Sequence, residues 1–170
     1  MSKTFLIGDT HFGHEKTCTT FKRPDGSPLR PFANAEEMNV EMVERWNATV
    51  KPEDKVYHLG DVVMNRKFLH IVKELNGRKV LIRGNHDICK TQEYIDVGFT
   101  EIYGVWVLND FVLSHVPLHP QNLEYRWKYN IHGHLHAHVM DDNRYINVSV
   151  EQIDYTPIDF EVIRKRIEAR

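Results

Sequence analysis

The feature that most constrains this chain is a repeated arrangement in which a short apolar run stops abruptly in a polar pair led by glycine. Lys3 to Gly8 runs into Asp9-Thr10-His11, Lys55 to Leu59 into Gly60-Asp61, and Lys79 to Ile82 into the segment Gly84-Asn85-His86-Asp87. Apolar runs of this length read as strands buried on both faces, and the glycines punctuate them. The polar residues therefore sit where strands end. Open α/β sheets bind their ligands at the carboxyl ends of such strands.

Helical patterns separate the runs. Asn34, with Glu37 three residues later, predicts a helix start, and Met38, Met42, Val43, Trp46 and Val50 follow at helical spacing. Phe68, Leu69, Ile71, Val72 and Leu75 predict an amphipathic helix closed by Gly77, and Phe160, Ile163 and Ile167 a terminal helix starting near Asp159. Cys18 to Phe32 carries Pro24, Pro28 and Pro31 and reads as a loop. Val105 to Leu108 and Phe111 to Ser114 flank Asn109-Asp110 as a hairpin, whose second strand delivers His115. Asn130 to Gly133 and Tyr145 to Val150 read as two further strands around His134 and His136. This is an α/β pattern in which a mainly parallel sheet is followed by a mixed or additional one.

Composition excludes more than it selects. The 170 residues suit a single domain, 1–170, and a formal net charge of −2 with interspersed signs gives no basic stripe for a nucleic-acid backbone. The apolar run at the start is too short for a signal-peptide core or a membrane span, so a cytoplasmic protein without a membrane partner is expected. Cys18 and Cys89 lie in no paired motif. The eleven histidines stand out, because imidazole is the commonest metal ligand.

Residues two apart in an extended segment point the same way, so Asp9 with His11, and His134 with His136, can each offer two ligands to one locus. Glycines before Asp61, Asn85 and His134 let backbone approach closely. Carboxylate and amide oxygens mixed with imidazoles, without thiolate, suit Mn, Fe, Zn or Ni.

In order, Asp9-x-His11, Gly60-Asp61, Gly84-Asn85-His86-Asp87, the lone His115 and Gly133-His134-x-His136 resemble the signature of the calcineurin-like metallophosphoesterase superfamily. The resemblance implies a four-layer αββα sandwich with two mixed sheets. It also implies a centre of two divalent metal ions, with manganese the first choice. Asp9, His11 and His136 would ligate one ion, Asn85, His115 and His134 the other, and Asp61 would bridge them. Hydroxide bound there would attack phosphorus in line. His86 would assist the leaving group, with Asp87 orienting that imidazole.

The implied reaction is hydrolysis of a small phosphodiester. A phosphomonoesterase and a nuclease are the alternatives, and a non-catalytic scaffold is a more distant one. After Gly60-Asp61 the chain reads Val62-Val63-Met64-Asn65-Arg66, without the Asp-Arg-Gly continuation of the protein serine/threonine phosphatases. His14, His119, Arg23 and Arg30 are candidate contacts to substrate phosphate. His58 reads as a core residue, His132 and His138 as exposed loop residues, and Arg126 to Tyr129 as a solvated helix face with a buried Trp127 or, alternatively, as a basic and aromatic mixture that can stack a base and neutralise a phosphate. Oligomeric state is left open by the sequence.

Overall fold

In the computed structural model, which describes residues 1–169, the apolar runs form the inner strands of a buried sheet. β1 (Thr4–Ile7), β2 (Lys55–His58), β3 (Arg78–Ile82) and β4 (Phe99–Tyr103) pair in parallel, and the short β9 (Ile158–Asp159) adds antiparallel to β1, giving the order β4-β3-β2-β1-β9. The second sheet has the order β5-β6-β7-β8, from β5 (Val105–Leu108), β6 (Phe111–Ser114), β7 (Tyr129–His132) and β8 (Tyr145–Asn147). β5 and β6 form the expected antiparallel hairpin, and β6, β7 and β8 run parallel. Both sheets are mixed.

Side-chain alternation along the inner strands feeds two cores. Phe5, Ile7, Val56 and Leu81 face a cluster built on α2 (Ala35–Thr49), whereas Leu6, Tyr57, Val80 and Ile82 face Leu113 and Ile131 of the second sheet. α4 (Phe160–Glu168) closes this inter-sheet core with Phe160 and Ile163, capped by Asp159. The outer layer on the second sheet is thin, with Leu118, Leu123 and Trp127 packing on Val112 and Tyr145.

α2 begins as expected, the Asn34 side chain accepting from the Glu37 N–H at 2.9 Å. Glu37 reaches back to the N–H of Ala33 instead of the cap residue itself. Residues Arg66–Glu74 form a 3-10 helix, not the expected α-helix. Leu69, Val72 and Leu75, all buried, recur every three residues and suit its threefold repeat, with Ile71 buried beside them. α1 (Glu15–Thr19) lies at the edge of the expected loop, and α3 (Thr91–Asp96) and β4 were without a periodic signal. β4 is an edge strand whose Thr100 and Glu101 break the apolar pattern.

Candidate metal centre

The turns after β1, β2, β3, β6 and β7 converge. Asp9 donates its N–H to Gly60 O at 2.9 Å and His11 donates to Asp61 O at 2.9 Å, which locks the first two turns together. Asp9, His11, Asp61, His134 and His136 all have positive φ, between 44° and 68°. The alternation expected of an extended segment is therefore replaced by left-handed turns, a conformation that costs on the order of 1 kcal/mol or more for each non-glycine residue. A Cβ on Gly84 would lie 2.3 Å from Asp61 Oδ1, so only glycine lets the third turn reach the second.

Two groups of side chains result. Ligand atoms of Asp9, His11 and His136 lie within 4.8 Å of one another, as do those of Asp61, His115 and His134. Asn85 joins the second group, its Oδ1 2.8 Å from His115 Nε2. Asp61 Oδ2 stands between the groups, 3.4 Å from His11 Nε2 and 3.4 Å from His115 Nε2.

Hydrogen bonding leaves the right atoms for a cation. Asp9 Oδ2 accepts from the His134 N–H and the Ser149 hydroxyl, both at 2.8 Å, while its Oδ1 has no partner. Both ring nitrogens of His11 are likewise buried without a hydrogen bond, Nε2 having only Asp61 Oδ2 near it. Buried polar atoms are normally satisfied, so these are places where a metal ion fits. His115 Nδ1 lies 2.7 Å from Leu59 O and His136 Nδ1 3.1 Å from Glu151 Oε1. These partners fix each Nδ1 as the donor and free each Nε2 for a metal.

Charge is arranged to match. Burial lifts the Asp9 carboxyl to about 6 and drives His11 well below its usual value, with Arg30 adding to the effect on His11. Burial also opposes the charge on Asp61, but the hydrogen bond and charge of His115 outweigh it and hold Asp61 at about 2. For His115 burial is again outweighed, chiefly by Asp61, and the imidazole rises to about 8. A cation placed among these groups would substitute for the proton that His115 otherwise carries.

Comparison with known proteins fits this arrangement. The family described as calcineurin-like phosphoesterase matches residues 2–165. The chain belongs to that family. An uncharacterized protein of Methanocaldococcus jannaschii is 37% identical to it, over 99% of this chain and 93% of that protein. The crystal structure of a protein of unknown function from Aquifex aeolicus superposes with a TM-score of 0.71 at 29% identity, covering 97% of this chain and 99% of that one. A nuclease of Pseudomonas putida shares the fold, with a TM-score of 0.51 at 21% identity over 78% of this chain and 61% of its own.

Within this member of the family, several side chains do something other than expected. Asp87 does not orient His86. It is buried, accepts from the N–H groups of Asp61, Val62 and Gly84 at 2.8 to 3.0 Å, and takes the Tyr94 hydroxyl at 3.3 Å, so it fastens the second turn to the third. His86 is exposed; its N–H donates to Asp61 Oδ1 at 2.8 Å, and its ring lies 5.4 Å from that of His11.

Arg30 is not available to substrate. It is fully buried and donates to Asp9 O at 2.6 Å, to Thr10 O at 2.7 Å and to Glu151 Oε1 at 2.8 Å. Arg23 is also turned inward, to Leu29 O and the Tyr155 hydroxyl. His119 caps the 3-10 turn Pro120–Leu123 by accepting from the Gln121 N–H. His14 does border the centre, its ring 5.6 Å from that of His11, and burial holds its imidazole down at about 4. His58 is a core residue bonded to the Thr10 hydroxyl at 2.9 Å, and His132 is buried in β7, not exposed; His138 is exposed.

Glu151 and Ser149 were missed. Both follow β8, so the rule that a strand empties into a polar motif extends to the last strand of the second sheet. No helix among the described residues is long and apolar enough to cross a membrane.

Proposed function

We propose that the chain is a binuclear-metal phosphoesterase acting on a small phosphodiester. The observation that carries this reading is the position of Asp61 Oδ2, equidistant at 3.4 Å from an imidazole of each group. One carboxylate shared in this way holds two cations close enough to meet one phosphoryl group. Asp9, His11 and His136 would hold one ion and Asn85, His115 and His134 the other, with manganese preferred and iron, zinc or nickel acceptable. When bound, the ions supply an acidified water as nucleophile and neutralise charge on the phosphoryl oxygens.

The remaining work falls to side chains. His86, exposed beside His11, donates a proton to the leaving oxygen. His14, whose ring lies 5.6 Å from that of His11, contacts the ester. Asp87 and Arg30 keep the ligand turns in register by holding their backbone. Both cysteines are free and buried, which suits a cytoplasmic setting.

The test is a panel of monoesters, linear and cyclic diesters and short oligonucleotides, assayed with Mn, Zn, Ni and Mg. Diester hydrolysis that depends on the ion and disappears in Asp61→Asn is the expected result. Activity that survives that substitution would remove the reading. A preference for monoesters would favour the phosphatase alternative.

A further inference from the structure

Beside the centre lies a cavity of about 500 Å³, between the segment Gly13–Lys16 and the segment Met64–Phe68. Its two walls continue directly from the turns that carry His11 and Asp61. The Met64 N–H donates to Phe12 O at 3.1 Å, so the walls are paired at their root. His14, one of the lining residues, has its ring 5.6 Å from that of His11. Whatever group extends from a phosphoryl held by the metals toward this side enters this space.

Three features define its chemistry. Phe68 and the exposed Met64 give an apolar surface, and the Phe68 ring packs so tightly on Gly13 that a Cβ there would fall 2.0 Å from it, in a backbone with φ of 80°. Lys16 and Lys67 line the same space together with one carboxylate, Glu15, whose Oε2 accepts from the Ala35 N–H at 2.8 Å; neither ammonium is in an ion pair among the described residues, and Lys67 Nζ lies 4.8 Å from the Phe68 ring centre. Beyond Phe68, which is a shared wall, a second cavity of about 710 Å³ changes sign, because Glu36, Glu44 and Glu74 line it and none is in an ion pair among the described residues.

The two ammonium groups outnumber the one carboxylate, and an aromatic wall with such cations beside it accepts the flat base and the phosphate of a nucleotide. The acidic cavity further on repels any phosphate that follows. We propose that the cavity walled by His14, Glu15, Lys16, Lys67 and Phe68 is a nucleotide subsite, so that the substrate is a short nucleotide-type diester, not a nucleic-acid strand. This rests on the phosphoesterase reading above and names its substrate class. The size is right, since ligand pockets typically enclose roughly 300–1,000 Å³.

Thymidine 5′-(4-nitrophenyl phosphate) and methyl 4-nitrophenyl phosphate release the same leaving group and differ only in what would fill the subsite. With Mn, the wild-type protein is expected to prefer the thymidine ester in kcat/KM by roughly tenfold, the scale of a single base stacked on an aromatic side chain. Lys67→Ala and Phe68→Leu are each expected to erode that preference, mainly through KM. Absence of a preference, or equal loss on both esters in the Lys67→Ala protein, would overturn the proposal.

Binding of thymidine 5′-monophosphate to the Mn-loaded protein, set against methyl phosphate as the phosphoryl-only control, reads the cavity without turnover of a diester. It is expected to be measurable by calorimetry, tighter than that of the control and weakened by Lys67→Ala; binding no tighter than the control would overturn the subsite. A wild-type protein inert toward both esters with every metal would remove the hydrolase reading, while this binding would still decide the subsite. Decathymidylate should compete no better than the mononucleotide, and a salt-sensitive gain in affinity with chain length would overturn the length limit.

Discussion

The two halves of the candidate metal centre are built differently. The Asp9, His11 and His136 group is braced from behind by a buried ion pair: Glu151 meets His136 on one side and Arg30 on the other, and Arg30 in turn grips the carbonyls of Asp9 and Thr10. The Asn85, His115 and His134 group faces outward. Asn85 is exposed and His134 half-buried, and of the three side chains only that of buried His115 is tied to backbone behind it, at Leu59 O. Partners that orient a ligand before the metal arrives strengthen binding, so the braced group should hold its ion tightly and the open group should exchange.

Substitution of the residue between the halves should have the largest effect. Asp61→Asn is expected to lower turnover by on the order of a thousandfold and to abolish the difference between the halves, since both lose the shared oxygen. Calorimetric titration with Mn alongside the assay checks this. Next, His86→Ala should reduce turnover of an alkyl-leaving-group diester by roughly a hundredfold while sparing a 4-nitrophenyl ester, whose leaving group needs no proton. Equal loss on the two esters would deny His86 the donor role.

Glu151→Gln directly separates the halves. It should weaken one ion by roughly 10–100-fold and leave the second unchanged. Equal weakening of both would break the comparison. The same carboxylate should also mark the acid limb of stability in the metal-free protein. Burial opposes its charge, but Arg30 and then His136 overcome that and hold Glu151 at about 2 against an ordinary 4.5. A lowered carboxylate stabilises the fold above its ordinary value and loses that contribution as pH falls from about 4.5 toward 2. Urea midpoints measured across this window should fall less steeply in Glu151→Gln than in the parent.

Most of the fold was legible because its strands are buried on both faces. β1, β2 and β3 are continuous apolar runs, and the β5–β6 hairpin carries its turn in Asn109-Asp110. What escaped were the elements that are not fully enclosed: β4, with exposed Thr100 and half-buried Glu101, and α3, only six residues long. The 3-10 segment Arg66–Glu74 was mistaken for an α-helix because short apolar patterns at spacing three and at spacing 3.6 overlap. In the site, the motif residues were legible in the sequence, but the supporting roles of Arg30, Asp87 and Glu151 were not. Arg30 and Glu151 lie 121 positions apart, and no local pattern connects them.

The sequence by itself determined which atoms could bind metal and where along the chain they stand, because each polar motif ends a strand whose burial is written in its apolar run. Only the tertiary structure decided that Asp9 and His11 turn through left-handed backbone, that Asp61 falls midway between two imidazoles, and that Asp87 and Arg30 fasten turns together. Those outcomes depend on hydrogen bonds and packing between turns far apart in the chain. A periodicity of two or of 3.6 residues reports the environment along one segment and carries no information about which distant turn it will meet.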